Sequence, residues 1–182
     1  MRAGNPRRCV FISGRGSNLA AILEILGSDI RLVVTSDENA GGVAKAFRGG
    51  IPVFVMPRES GGGLDWSAVD EALNVRSIDV IFLLGFMRIV PADFVEKWSG
   101  KILNLHPSLL PKYPGLKSIE RAILADDDVG ASIHEVVTEV DAGPVIHSRK
   151  SLRAGHGGRA SATLVHIDEQ RIVKEVVESW RH

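Results

Sequence analysis

The stretch Cys9-Val-Phe-Ile-Ser-Gly-Arg-Gly-Ser-Asn-Leu-Ala-Ala-Ile-Leu-Glu-Ile-Leu26 sets the frame for everything that follows it. Cys9–Ser13 is a short run with almost no polar interruption, the pattern of a strand buried on both faces. Gly14-Arg-Gly-Ser-Asn18 breaks that run, and Leu19–Leu26 continues as a helix. The same alternation recurs downstream. Ile30–Thr35 reads as a strand, a helix lies near Val43–Arg48, and Ile51–Met56 reads as a strand. A helix near Ser67–Asn74 and the run Asp79–Gly85 complete the pattern. Apolar strands separated by helices require a parallel sheet covered on both faces, and right-handed crossovers make it doubly wound. The expected fold class is therefore α/β, with a mostly parallel sheet and helices on both sides.

The pattern changes after Pro91. A helix is expected over Pro91–Trp98, a strand over Lys101–Leu105 and a proline-punctuated loop over Pro107–Pro114. A helix from Ser118 to Ala125 then precedes strands at Ala131–Val137 and Val145–Arg149. Val165, Ile172, Val173, Val176, Val177 and Trp180 recur as one helical stripe. The 182 residues suit one domain, taken as residues 1–182, and 45% of them are hydrophobic. Lys plus Arg and Asp plus Glu each number 22, so no net field favours nucleic acid or a membrane surface as a partner. The apolar run after the basic N-terminus is too short for a signal peptide or a membrane span, and a cytoplasmic protein is expected. Cys9 is the one cysteine, which excludes a disulfide framework and reads as a small core residue.

Three features carry chemistry. Gly14-Arg-Gly-Ser-Asn18 sits between a strand and a helix, where glycines let the backbone approach an anion and free N–H groups point at it. Ser17 or Asn18 could cap that helix, and without a ligand the motif reads equally well as a capped turn. In Asn104-Leu-His-Pro-Ser-Leu-Leu-Pro111, strand alternation puts Asn104 and His106 on one face near a strand end, where open α/β sheets bind ligands. An amide beside an imidazole suits acyl transfer, although a strand-end histidine satisfied by backbone fits the pattern too. Asp141, in Glu139-Val-Asp-Ala-Gly-Pro144, would orient His106 and favour imidazolium if the two met. Taken alone it reads as a plain turn residue that contributes little to stability.

The remaining candidates read as bland. Asp126-Asp-Asp128 is a solvated turn, and metal binding is not expected there or elsewhere. His134 falls in a strand pattern and lacks the second histidine of a zinc helix. His147, His156 and His182 show no partners; Trp66, Trp98 and Trp180 read as packing; Ser60-Gly-Gly-Gly63 reads as a loop.

Ser13–Asn18, Leu84-Gly-Phe-Met-Arg-Ile89, Asn104–Gly115 and Asp141-Ala-Gly-Pro144 occur in the order seen in a known family. The chain resembles the folate-dependent formyltransferases over roughly residues 9 to 147, and within them the branch acting on glycinamide ribonucleotide. The resemblance implies a Rossmann-like variant with antiparallel strands in the C-terminal half. It implies transfer of a formyl group from 10-formyltetrahydrofolate, as cosubstrate, to the amine of glycinamide ribonucleotide in purine biosynthesis, without a metal. Asn104, His106 and Asp141 would be catalytic, and Gly16, Ser17 and Asn18 would hold the substrate phosphate. Met87, Arg88, Ile89, Val90, Val137, Thr138, Glu139 and Val140, with Asn104 and Asp141, would line the folate pocket. His166 and Glu169 align where the family grips the ribonucleotide with Gln and Glu, and Trp66 where it often has Arg. The chain also stops at His182, short of the tail many relatives carry, and a homodimer is left open. Rival readings are a formyltransferase for sugar-nucleotide amines or a formyltetrahydrofolate hydrolase. A noncatalytic nucleotide-binding module would use only the Gly14–Asn18 loop.

Overall fold

The structure, a computed structural model, describes residues 5–151 and 158–179, with side chains in the last helix from residue 162 onward. Seven strands form one sheet: β1 Arg8–Ile12, β2 Ile30–Thr35, β3 Val53–Val55, β4 Val80–Leu83, β5 Ile102–His106, β6 Gly130–Glu135 and β7 Val145–Lys150. Their order is β3-β2-β1-β4-β5-β6-β7. The first five run parallel, and β6 and β7 are antiparallel to their neighbours. The helices are α1 Ser17–Leu26, α2 Gly41–Arg48, α3 Trp66–Val75, α4 Ala92–Lys97, α5 Ser118–Leu124 and α6 Gly158–Ser179. This is the expected doubly wound α/β sheet with an antiparallel C-terminal half. No described helix is long and apolar enough to cross a membrane.

β1 shows why its sequence carries no alternation of polarity. Val10 and Ile12 join a core with Leu19 and Ile22 of α1, Ala46 of α2, and Ile172 and Val176 of α6. Cys9 and Phe11 join a second core with Val69 and Leu73 of α3 and Phe94 of α4. Alternate residues thus enter opposite apolar layers, so every position must be apolar. Trp66 and Trp98 pack in the second layer beside Phe86 and Phe94, as their packing role requires. Trp180, His156 and His182 lie outside the described residues.

The same alternation fixes the site. Leu103 and Leu105 of β5 face the first core while Ile102 faces the second, so Asn104 and His106 project on the second face. β6 pairs antiparallel with β5 and sets His134 opposite Asn104 and Ser132 opposite His106. The segment from Val136 to Pro144 folds back over these residues.

The helix start after β1 departs from expectation. α1 begins at Ser17, and its cap is Gly16 in a left-handed conformation (φ 67°) with no side-chain cap bond, rather than Ser17 or Asn18. A Cβ on Gly16 would stand 2.6 Å from the Gly42 Cα, so the glycine is required by the close approach of α2. Neither side chain then caps the helix, and the first amides of α1 stay free for another acceptor.

Candidate active site

β5 ends at His106, whose ring is held between two acceptors. Nε2 lies 3.0 Å from the Tyr113 carbonyl, and Nδ1 lies 3.3 Å from Asp141 Oδ2. The loop from Pro107 to Gly115 supplies the first acceptor, and the β6–β7 connection supplies the second. Both loop residues adopt the left-handed backbone region, Tyr113 at φ 55° and Asp141 at φ 55°. Non-glycine residues rarely stay there unless the surroundings hold them, and such positions cluster at functional sites.

Asp141 is the hub. Its Oδ2 accepts the Gly115 N–H at 2.8 Å, and its Oδ1 lies 3.4 Å from both Asn104 Nδ2 and His134 Nε2. Burial alone would push this carboxyl up. The contacts with His134 and the Gly115 N–H, and the attraction of both imidazoles, outweigh it and hold the carboxyl below its usual value. The site therefore keeps a fixed negative charge, with the side chains of His106 and Asp141 only 7% and 10% exposed. The expected trio of Asn104, His106 and Asp141 is brought together around one carboxylate.

His134 belongs to the same cluster. Its Nδ1 lies 2.8 Å from the Glu135 carbonyl, and its Nε2 lies 3.0 Å from Asn104 Nδ2 and 3.4 Å from Asp141 Oδ1. Asn104 Nδ2 thus stands between the His134 ring and the Asp141 carboxylate. The bland strand histidine is in fact the residue that orients the asparagine. Only the antiparallel register of β6 reveals this, and nothing in the sequence sets that register.

The glycine loop lies at the end of β1. Asn18 is buried and its Oδ1 has no hydrogen-bond partner among the described residues, while Ser17 is exposed. A buried, unpaired amide oxygen at a helix start suits a polar ligand that can donate to it. Lys45 Nζ donates to the Arg15 carbonyl at 2.7 Å and brings a positive charge beside the loop. Ser13 ties this loop to the next, because its Oγ accepts the Met87 N–H at 2.9 Å.

In the Met87–Val90 segment, Met87 and Ile89 are 68% and 82% exposed, and Val90 packs on the second core. Arg88 Nε reaches Ser36 Oγ at 3.1 Å. Thr138, Glu139 and Val140 are exposed on the β6–β7 connection, as is Val137. On α6, His166 Nδ1 pairs with Glu169 Oε2 at 2.8 Å, with Glu169 nearly buried. These two meet each other on α6 and take no part in the hydrogen bonds around Asp141.

Two bland readings are corrected. His147 has a partner, Glu175 Oε2 at 3.0 Å, in an ion-pair set that links β7 to α6 through Arg149. Asp127 is an anchor rather than a solvated turn: it takes Lys112 Nζ at 2.9 Å and the Tyr113 hydroxyl at 3.0 Å.

Comparison with known proteins adds an independent line. Residues 7–155 match the formyl transferase family. The chain is 38% identical over 181 residues to the phosphoribosylglycinamide formyltransferase of Escherichia coli (strain K12), covering 94% of this chain and 84% of that protein. It is 42% identical over 145 residues, 75% of this chain, to the trifunctional purine biosynthetic protein adenosine-3 of Gallus gallus, and spans 14% of that protein's length. The crystal structure of phosphoribosylglycinamide formyltransferase from Anaplasma phagocytophilum superposes with a TM-score of 0.87 at 35% identity, covering 96% of this chain and 86% of that one. The architecture, the cluster at the end of β5 and a match over most of the sequence agree: the chain belongs to the formyl transferase family.

Proposed function

We propose that this chain transfers the formyl group of 10-formyltetrahydrofolate to the amine of glycinamide ribonucleotide. The observation that carries the reading is the gathering of Asn104, His106 and Asp141 around one ionised carboxylate at the end of β5. Relatives named phosphoribosylglycinamide formyltransferase support the choice of acceptor.

In this reading the amine nitrogen attacks the formyl carbon, and the carbonyl electron pair moves to oxygen as an oxyanion. Both nitrogens of His106 face acceptors, so the imidazolium is the form that bonds both at once. The oxyanion is a stronger acceptor than the Tyr113 carbonyl and takes the Nε2 hydrogen from it. The Asn104 hydrogen on the 3.4 Å contact to Asp141 is the weakest bond of the set and turns to the same oxygen. Collapse of the intermediate breaks the bond from carbon to the folate nitrogen, which gains a proton as the attacking amine loses one. Asp141 stays ionised throughout and balances the imidazolium.

Gly16, Ser17 and Asn18 offer the free amides of α1 to the substrate phosphate, with His166 and Glu169 reaching the ribonucleotide from α6. Exposed Met87 and Ile89, with the Val137–Asp141 segment, offer apolar faces and backbone groups to the folate ring. The test is to incubate the protein with 10-formyltetrahydrofolate and a panel of acceptors: glycinamide ribonucleotide, its dephosphorylated form, an aminosugar nucleotide and water alone. Formylation of glycinamide ribonucleotide well above the others is expected. Equal turnover of the dephosphorylated acceptor, or release of formate in water alone, would overturn the reading.

A further inference from the structure

We infer that Asp127 is a positioning residue for the transfer centre, acting on His106 through Tyr113. The inference rests on the reading of His106 as a catalytic group. Asp127 lies on the connection between α5 and β6 and touches none of the trio. Its Oδ2 accepts the Tyr113 hydroxyl at 3.0 Å, and Lys112 Nζ bonds both carboxylate oxygens at 2.9 and 3.1 Å. Its Oδ1 accepts the Asp128 N–H at 2.7 Å, which fixes the carboxylate itself. The Lys112 ammonium, then the Asp128 N–H and the Tyr113 hydroxyl, lower its carboxyl to about 2, so it stays ionised at any working pH.

The far end of Tyr113 meets the chemistry. Its carbonyl is the acceptor for His106 Nε2 at 3.0 Å, presented from a backbone at φ 55°. Such a conformation needs outside support, and the ring of the residue is held as well as its carbonyl. Arg121 lies 5.6 Å from the Tyr113 ring centre and donates to the neighbouring Pro114 carbonyl. The Tyr113 ring also packs on the small apolar cluster of Ala122, Val129 and Val165. Ser108 Oγ holds the Lys112 carbonyl at 2.7 Å. One side chain, pinned at its hydroxyl by Asp127 and at its face by Arg121, thus sets where a main-chain carbonyl stands against the imidazole. Asp141 fixes one nitrogen of that ring, and this clamp fixes the other.

Three variants test it: Tyr113→Phe, which removes one oxygen and keeps the ring; Asp127→Ala; and the pair. A small misplacement of a reacting group typically costs about tenfold or more, so kcat should fall roughly tenfold in each single variant. KM for both substrates should change less than about threefold, since neither residue is placed against them. Because both act through one hydroxyl, Asp127→Ala should add little further loss of kcat in the Tyr113→Phe background. In ¹⁵N NMR the His106 Nε2 resonance should shift in both variants as its acceptor moves, while Nδ1, held against Asp141, shifts less. A fall in thermal midpoint with kcat and the His106 Nε2 resonance unchanged would overturn the inference and leave Asp127 as a structural anchor. Fully additive losses in the pair would overturn it too. His106→Ala separates the readings: normal turnover there would sink the catalytic reading of His106 itself. Loss of turnover there with normal kcat in Tyr113→Phe would sink only the positioning role.

Discussion

Asp141 accepts one backbone N–H at 2.8 Å and stands within 3.4 Å of three side-chain nitrogens, while its own backbone sits in the left-handed region. The sequence alone makes it a turn residue of small energetic consequence, and the geometry changes that expectation. Its folded carboxyl titrates below the usual value. Its contribution to stability is therefore full above the ordinary carboxylate pKa of about 3.9 and is lost as pH falls through the lower folded value. Denaturation of wild type and Asp141→Asn should show the variant less stable at neutral pH, with the margin narrowing below about 4 as the carboxyl protonates. A margin that is absent at neutral pH, or that does not narrow below about 4, would mean the carboxylate is not held by these groups. Asn104 and His106 were legible at this scale because strand alternation places them together whatever the tertiary detail. His134 was not. Its role depends on lying opposite Asn104 across a pair of strands joined by 23 residues, too long a connection for any turn to fix the register.

Elements carry the glycine loop and the clamp around His106. Every expected strand and helix is present, with ends within two residues through β7, because fully buried parallel strands announce themselves as apolar runs; α6 begins at Gly158, well ahead of the stripe that starts at Val165. The cap of α1 was misread. Ser17 and Asn18 are favoured cap residues, but the tight crossing of Gly16 over Gly42 puts the cap one residue earlier and frees both side chains. That crossing makes a prediction. Gly16→Ala must accept a left-handed backbone, at about 1–2 kcal/mol, and a Cβ placed 2.6 Å from the Gly42 Cα. The thermal midpoint should fall and KM for a phosphate-bearing acceptor should rise, while affinity for the folate cosubstrate changes little. Unchanged stability and unchanged KM would show that this loop neither packs nor binds as described.

At the scale of the whole molecule, β1 lies between β2 and β4 with apolar layers on both faces, so the centre of the sheet is the last part to open. Cys9 reports on it directly. Burial pushes its thiol well above the usual value, and the side chain is fully covered. A thiol reagent should therefore label the native protein only at the rate of global opening, rising steeply as denaturant is added. Rapid stoichiometric labelling without denaturant would contradict this placement of β1. The doubly wound half was legible because each of its strands is a separate apolar run between helices. The antiparallel half completes the cluster around Asp141, yet its chain path over that cluster, from Val136 to Pro144, carries no periodicity that a sequence could display.

All these scales meet in one claim, that formyl transfer depends on the charge Asp141 supplies at the end of β5. The direct measurement is the single-turnover rate of formyl transfer from 10-formyltetrahydrofolate to glycinamide ribonucleotide in wild type and in Asp141→Asn. The substitution keeps the side chain's size and removes its charge. The rate in Asp141→Asn should be lower by roughly 10²-fold or more, the usual scale for losing acid–base assistance, with folate affinity changed far less. A transfer rate within a few-fold of wild type would contradict it and return Asp141 to the role of a turn residue.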